Sequence, residues 1–230
     1  VLKAFKWQRI VAVLNGKISI LESINILFIG LFVSIATPGR LGDFVRAIYL
    51  KDRLALGKGI LAVIVDRAMD VISLLVFSGI GLILLTQASG IEIISPELVI
   101  VLIVGSIVAL AALLTKRMGK KLFHIIRGFL PDKLKSILVT HGRSFYGAVP
   151  LFRTNFVQLI LALVASTLAW ICSITFGWFL MLSLNLPLDW NAALTLVPIL
   201  ALIEIIPVGI LGIGTREIGA VIVMGAYGVS

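Results

Sequence analysis

Residues 59–86 read GILAVIVDRAMDVISLLVFSGIGLILLT. A hydrocarbon core is crossed by about 20 apolar helical residues, so this stretch is long enough to span a membrane. Its first turns nevertheless carry Asp66, Arg67 and Asp70. Ionisable groups inside a spanning helix are costly unless they face a polar cavity or a partner. The stretch therefore predicts both a membrane fold and a polar site built into it. Asp66 and Asp70 are i,i+4 and share a helix face. Two carboxylates on one face require a cation between them, and the candidates are Arg40, Arg46, Arg67, Arg216 or a cationic group of a ligand.

The rest of the chain agrees with that reading. It has 230 residues, of which 60% are hydrophobic and 13% charged, and its mean hydropathy is +1.16. Soluble domains run at about 45–50% apolar and about 25% charged, so a soluble globule and a disordered chain are both excluded. Long apolar runs, rather than short alternating ones, exclude a transmembrane β-barrel. The fold class expected is all-α: a polytopic integral membrane protein forming a single transmembrane domain over 1–230.

On either side, 18–36, 97–115 and 154–184 are apolar. Residues 191–206 are apolar but contain Pro198 and Glu204, and 207–214 hold Pro207, Gly209, Gly212 and Gly214. Residues 116–153 carry nine basic residues and one acid, Asp132. By the positive-inside rule that loop is expected to be cytoplasmic. Within it Leu122, Ile125, Ile126, Phe129 and Leu130 recur at helical spacing opposite Lys120, Lys121 and Arg127, which predicts an interfacial amphipathic helix. The net charge of +9 fits anionic lipid headgroups rather than nucleic acid.

Residues 1–17 are basic and also want the cytoplasmic side. Both sides of 18–38 then share one face, so that segment is expected to be re-entrant, breaking at Pro38 and Gly39 with Gly42 beyond. Segment 191–214 is expected to do the same from the opposite face, breaking at Pro207 and its glycines. Each break is followed by an Arg and an acid: Arg40 and Asp43, with Arg46 near, in the first; Arg216 and Glu217 in the second. Broken segments in corresponding positions of two halves suggest an inverted repeat with the site between the breaks. Glu204, deep in an apolar run, is expected to pair with Arg216. Arginine suits bidentate phosphate binding. Cys172 rules out an internal disulfide, and His124 and His141 have no second ligand at metal spacing. No nucleophile–base pair, cofactor motif or metal set is present, so no enzyme activity, cofactor or metal is expected. The chain is expected to be a piece of a longer one.

Three stretches together resemble a known family. They are Thr37-Pro-Gly-Arg-Leu-Gly-Asp-Phe-Val-Arg-Ala47, Val65-Asp-Arg-Ala-Met-Asp70 and Pro207-Val-Gly-Ile-Leu-Gly-Ile-Gly-Thr-Arg-Glu217. In order and spacing they are similar to the motifs of the lysylphosphatidylglycerol synthase transmembrane family, the flippase-like membrane proteins. Leu211 stands where a glycine is usual, and Asp66 where Glu is common. The resemblance implies a multi-pass protein of a prokaryotic plasma membrane, with N-terminal and C-terminal helices missing from this chain. It would translocate an anionic or aminoacylated phospholipid, or a polyprenyl-phosphate lipid. The alternative is a module that anchors or presents lipid to an aminoacyl- or glycosyltransferase. Its partners would be membrane lipids and their anionic headgroups, a transferase domain or a second copy of itself, and not nucleic acid. The expected headgroup residues are Arg40, Asp43, Arg46, Asp66, Arg67, Asp70, Glu204, Arg216 and Glu217.

Overall fold

The computed structural model describes residues 1–35, 37–90, 95–113, 142–186, 188–204 and 214–228. The expected amphipathic helix within 116–153 and the breaks at Pro207, Gly209 and Gly212 lie outside those residues. Every regular element among the described residues is helical. In order they are α1 (Leu2–Val13), α2 (Ile20–Ile35), a 3₁₀ turn (Pro38–Phe44), α3 (Val45–Tyr49), α4 (Leu56–Ser89), α5 (Pro96–Leu113), α6 (Gly142–Thr154), α7 (Phe156–Ser183), α8 (Trp190–Ile203) and α9 (Thr215–Ala226). α4 and α7 are long and apolar enough to cross a membrane.

Local chemistry explains the helix starts. Ser19 and Glu22 form a reciprocal cap on α2: Glu22 N donates to Ser19 Oγ (3.1 Å) and Ser19 N donates to Glu22 Oε2 (2.7 Å). Glu22 is therefore a capping residue at the mouth of an apolar helix, not a charge within it. Arg53 Nη2 reaches the same carboxylate at 2.5 Å. Asp189 caps α8 by accepting from Ala192 N at 2.9 Å. α9 begins at Gly214, whose φ of 89° suits glycine.

The chain divides into two compact units. The first comprises 1–33, 42–69 and 107–166. Its core joins Trp7, Ile10 and Val11 of α1 to Leu61 and Val65 of α4, and to Phe145 and Phe152 of α6. α1 is therefore packed into protein, although its sequence carries Lys3, Lys6 and Arg9. α6 turns Phe145, Ala148, Val149 and Phe152 inward and leaves Arg143 and Arg153 exposed.

The second unit comprises 34–41, 70–106 and 167–230. Here helices approach through small residues, as expected where lipid offers no hydrophobic contrast. A Cβ on Gly81 of α4 would lie 2.6 Å from Thr195 Cα of α8, and one on Gly177 of α7 would lie 2.5 Å from Val197 Cγ2. Thr195 Oγ1 lies 2.9 Å from Gly81 O and 2.9 Å from Tyr227 Oη. Large apolar side chains remain exposed in each unit: Phe28 and Phe32 of α2 and Val164 of α7 in the first, Phe176 and Phe179 of α7 in the second.

Candidate functional site

The first unit encloses a chain of alternating charges. Asp66 of α4 stands at its centre. Lys6 Nζ of α1 lies 2.7 Å from Asp66 Oδ1 and also donates to the Asp66 carbonyl at 3.3 Å. Arg46 Nη1 of α3 donates to Asp66 Oδ2 at 3.0 Å. The Arg46 Nε donates to the Asp43 carbonyl at 3.2 Å and lies 3.6 Å from Asp43 Oδ1. Asp43 in turn pairs with Arg67. The sequence of contacts is Lys6, Asp66, Arg46, Asp43, Arg67.

Burial makes this arrangement consequential. The side chains of Lys6, Asp43, Arg46 and Asp66 are all buried, whereas that of Arg67 is 36% exposed. Removing charges from water is repaid only where each finds a well-placed partner. Asp66 does so by giving one oxygen to each of two cations. Arg46 is further held by stacking, with its Cζ 4.5 Å from the centre of the Trp7 ring. Its stem crosses α2 at Gly30, where a Cβ would lie 2.6 Å from Arg46 Cγ. The network thus runs from a fully enclosed lysine to a partly open arginine.

Lys6, Trp7 and Gly30 are absent from the residues that the sequence singles out. Lys6 escapes notice because residues 1–17 read as a basic segment on the cytoplasmic side. A signal is nonetheless present: Ala4, Trp7, Ile10 and Leu14 recur at helical spacing, and all are buried. Of the two cations beside Asp66, Arg46 is among the expected candidates and Lys6 is not.

Asp70 is buried one turn beyond Asp66 on α4, and belongs to the second unit. In that unit Arg216 Nη1 donates to Glu204 Oε1 at 2.6 Å, the pairing expected of these two residues. Glu204 ends α8 and Arg216 begins α9. The Glu217 carboxylate accepts from Gly214 N at 2.6 Å and so caps α9. The backbone of Pro38, Gly39 and Arg40 lies in the 3₁₀ turn, which also carries Gly42 and Asp43.

A family model described as the lysylphosphatidylglycerol synthase TM region matches residues 1–230, the whole chain. No curated protein and no solved structure matches it.

Proposed function

The chain belongs to the lysylphosphatidylglycerol synthase transmembrane-region family, a membrane family tied to lipid modification or transport, and from that premise we propose that it translocates a lipid with a phosphate-bearing headgroup. The observation that carries the reading is the charged chain around Asp66: five ionisable groups in contact, two of them on α4, a helix fit to span, with four of the five buried and the fifth partly open. A structural ion pair alone would need two groups. Here Arg67 meets the headgroup phosphate, while Asp43, Arg46, Asp66 and Lys6 hold its position and balance its charge. The reading also enlists Arg40 and Arg216 as cations for the phosphate, with Glu204, Glu217 and Asp70 to balance them. An aminoacylated headgroup would bring its own ammonium to those acids.

The lengths of α2 and α8 support re-entrance of 18–38 and 191–214. They have 16 and 14 residues, short of the ~20 that cross a bilayer. Two broken segments of this kind, entering from opposite faces, make an inverted repeat of the kind transporters use. The membrane is the plasma membrane, crossed several times, with 116–153 on the cytoplasmic side.

A second reading has its own support. The family description is that of a membrane region of a synthase, which favours a module presenting lipid to a transferase. The two readings separate in proteoliposomes. Translocation of a headgroup-labelled lipid by the purified protein, lost in Arg67→Gln and Arg216→Ala, supports the translocase. Lipid binding without translocation in the folded wild type supports the presenting module and overturns the first reading.

A further inference from the structure

We propose that Arg9 and Gln158 hold the phosphate of a resident anionic phospholipid against α7, a lipid that is kept rather than moved. Arg9 of α1 is partly buried. Its guanidinium lies over the Phe5 ring, with Cζ 4.5 Å from the ring centre. Its Nη1 donates to Gln158 Oε1 of α7 at 3.4 Å, which is long for such a bond. Among the described residues that amide is the one acceptor the guanidinium meets, and the enclosed Nε meets none. A guanidinium offers several N–H donors in a fixed fork and no acceptor, so most of this fork stands unused. No carboxylate answers its charge either. Residues 1–21 and 133–188, which include α1, α6 and α7, contain no Asp or Glu. Among the described acids of the first unit, Asp43 and Asp66 belong to the buried charged chain, Glu22 caps α2 and pairs with Arg53, and Asp52 lies in the turn before α4. A cation drawn partly out of water without a counter-charge is costly, so the site calls for an anion from outside these helices.

The surroundings require that this anion carry hydrocarbon. Gln158 stands in the first turn of α7, a helix long and apolar enough to cross a membrane. Val157, Leu161 and Val164 follow one another at i, i+4 and i+7, which puts them on one stripe of the helix. All three are exposed. The stripe begins beside Gln158 and runs about 10 Å along the helix. A free phosphate would use Arg9 and leave the stripe bare. A phospholipid uses both: its phosphate accepts from the Arg9 fork, a geometry guanidinium groups suit, and an acyl chain lies along the stripe. Gln158 gives its carbonyl oxygen to Arg9, which leaves its amide N–H groups to donate to the same phosphate. The absence of acids also selects the headgroup. An ethanolamine or lysyl ammonium finds no carboxylate on α1, α6 or α7, so a glycerol headgroup is preferred. In this the site differs from the charged chain around Asp66.

The resident lipid is independent of translocation, and its test contains no transport step. The whole chain is purified in detergent, exposed to phosphatidylglycerol, phosphatidylethanolamine or lysylphosphatidylglycerol, and weighed by native mass spectrometry after detergent exchange. Wild type should retain phosphatidylglycerol and should retain the other two less. Arg9→Gln should weaken that retention by about tenfold, the worth of one hydrogen bond to a charged group, and Arg9→Lys should weaken it less. Val157→Asp places a carboxylate beside the site at an exposed position that the core does not need, and it should weaken retention in the same way. Arg67→Gln should leave retention unchanged. Loss in Arg67→Gln but not in Arg9→Gln overturns the proposal and assigns the lipid to the charged chain. Equal retention by wild type, Arg9→Gln and Val157→Asp also overturns it, as does no retention by wild type, which leaves Arg9 to water. Equal retention of all three lipids overturns the choice of headgroup.

Discussion

The Arg46 side chain lies against the bare Cα of Gly30, so closely that a Cβ there would sit 2.6 Å from Arg46 Cγ and 2.8 Å from Cδ. These are mid-stem atoms of a side chain fixed at its tip by Asp43 and Asp66, so they cannot swing aside without breaking ion pairs. Gly30→Ala should therefore destabilise by about 1–3 kcal/mol, the usual range for overpacking. A thermal melt in detergent reads the loss. Combining it with Arg46→Ala should give less than the sum of the two single losses, because the clash disappears with the stem.

Asp66 holds two buried cations, so removing it should be worse than removing the whole arrangement. Asp66→Leu leaves Lys6 and Arg46 without their carboxylate, and should cost about 3–5 kcal/mol. Adding Lys6→Met should recover part of that loss by taking away one stranded charge. Equal stability of the single and double variants, measured by thermal denaturation, would argue that Lys6 reaches water when Asp66 is gone.

Two glycines in apolar helices offer a contrast. Gly81 packs against backbone: a Cβ there would lie 2.6 Å from Thr195 Cα and 2.8 Å from Leu194 O. Gly105 of α5 has nothing within 4 Å of such a Cβ. Gly81→Ala should lose about 1–3 kcal/mol. Gly105→Ala should be neutral or gain up to ~1 kcal/mol from helix propensity. Melting temperatures of the pair, recorded side by side, check the order.

The Glu204–Arg216 pair predicts a different pattern, because Arg216 is 52% exposed. An open ion pair contributes only ~0–1 kcal/mol, so neither Glu204→Gln nor Arg216→Ala should change the melt much. Arg216→Ala should nonetheless slow lipid translocation. A large fall in stability with intact translocation would make the pair a structural clamp.

Much of the architecture is legible in the sequence because apolar length is a strong signal in a membrane. Residues 59–86 and 154–184 announce helices fit to span, and the structure extends the first to Leu56–Ser89 and places the second at Phe156–Ser183. The Glu204–Arg216 contact is legible because a deep acid needs a cation and few are at hand. Asp66 and Arg46 are legible as a carboxylate and a cation in need of partners. Lys6 is not, because a lysine in a mixed basic segment reads as solvated. Its burial depends on α1 packing against α4 and α6, which local sequence does not state. Gly30 is hidden for a similar reason: a glycine in an apolar run is silent until a neighbour's stem crosses it. Ser19-x-x-Glu22 is a recognisable cap, and the structure forms it.

The central claim is that the charged chain around Asp66 of α4 serves lipid translocation, and headgroup flipping tests it most directly. Purified full-length protein in proteoliposomes is given phosphatidylglycerol, its lysyl form or a polyprenyl phosphate, as wild type and as Asp66→Asn. The account predicts that wild type flips at least one of these lipids and that Asp66→Asn, still folded, loses that flipping. Flipping of every lipid at undiminished rate by Asp66→Asn, or none by folded wild type, would contradict it.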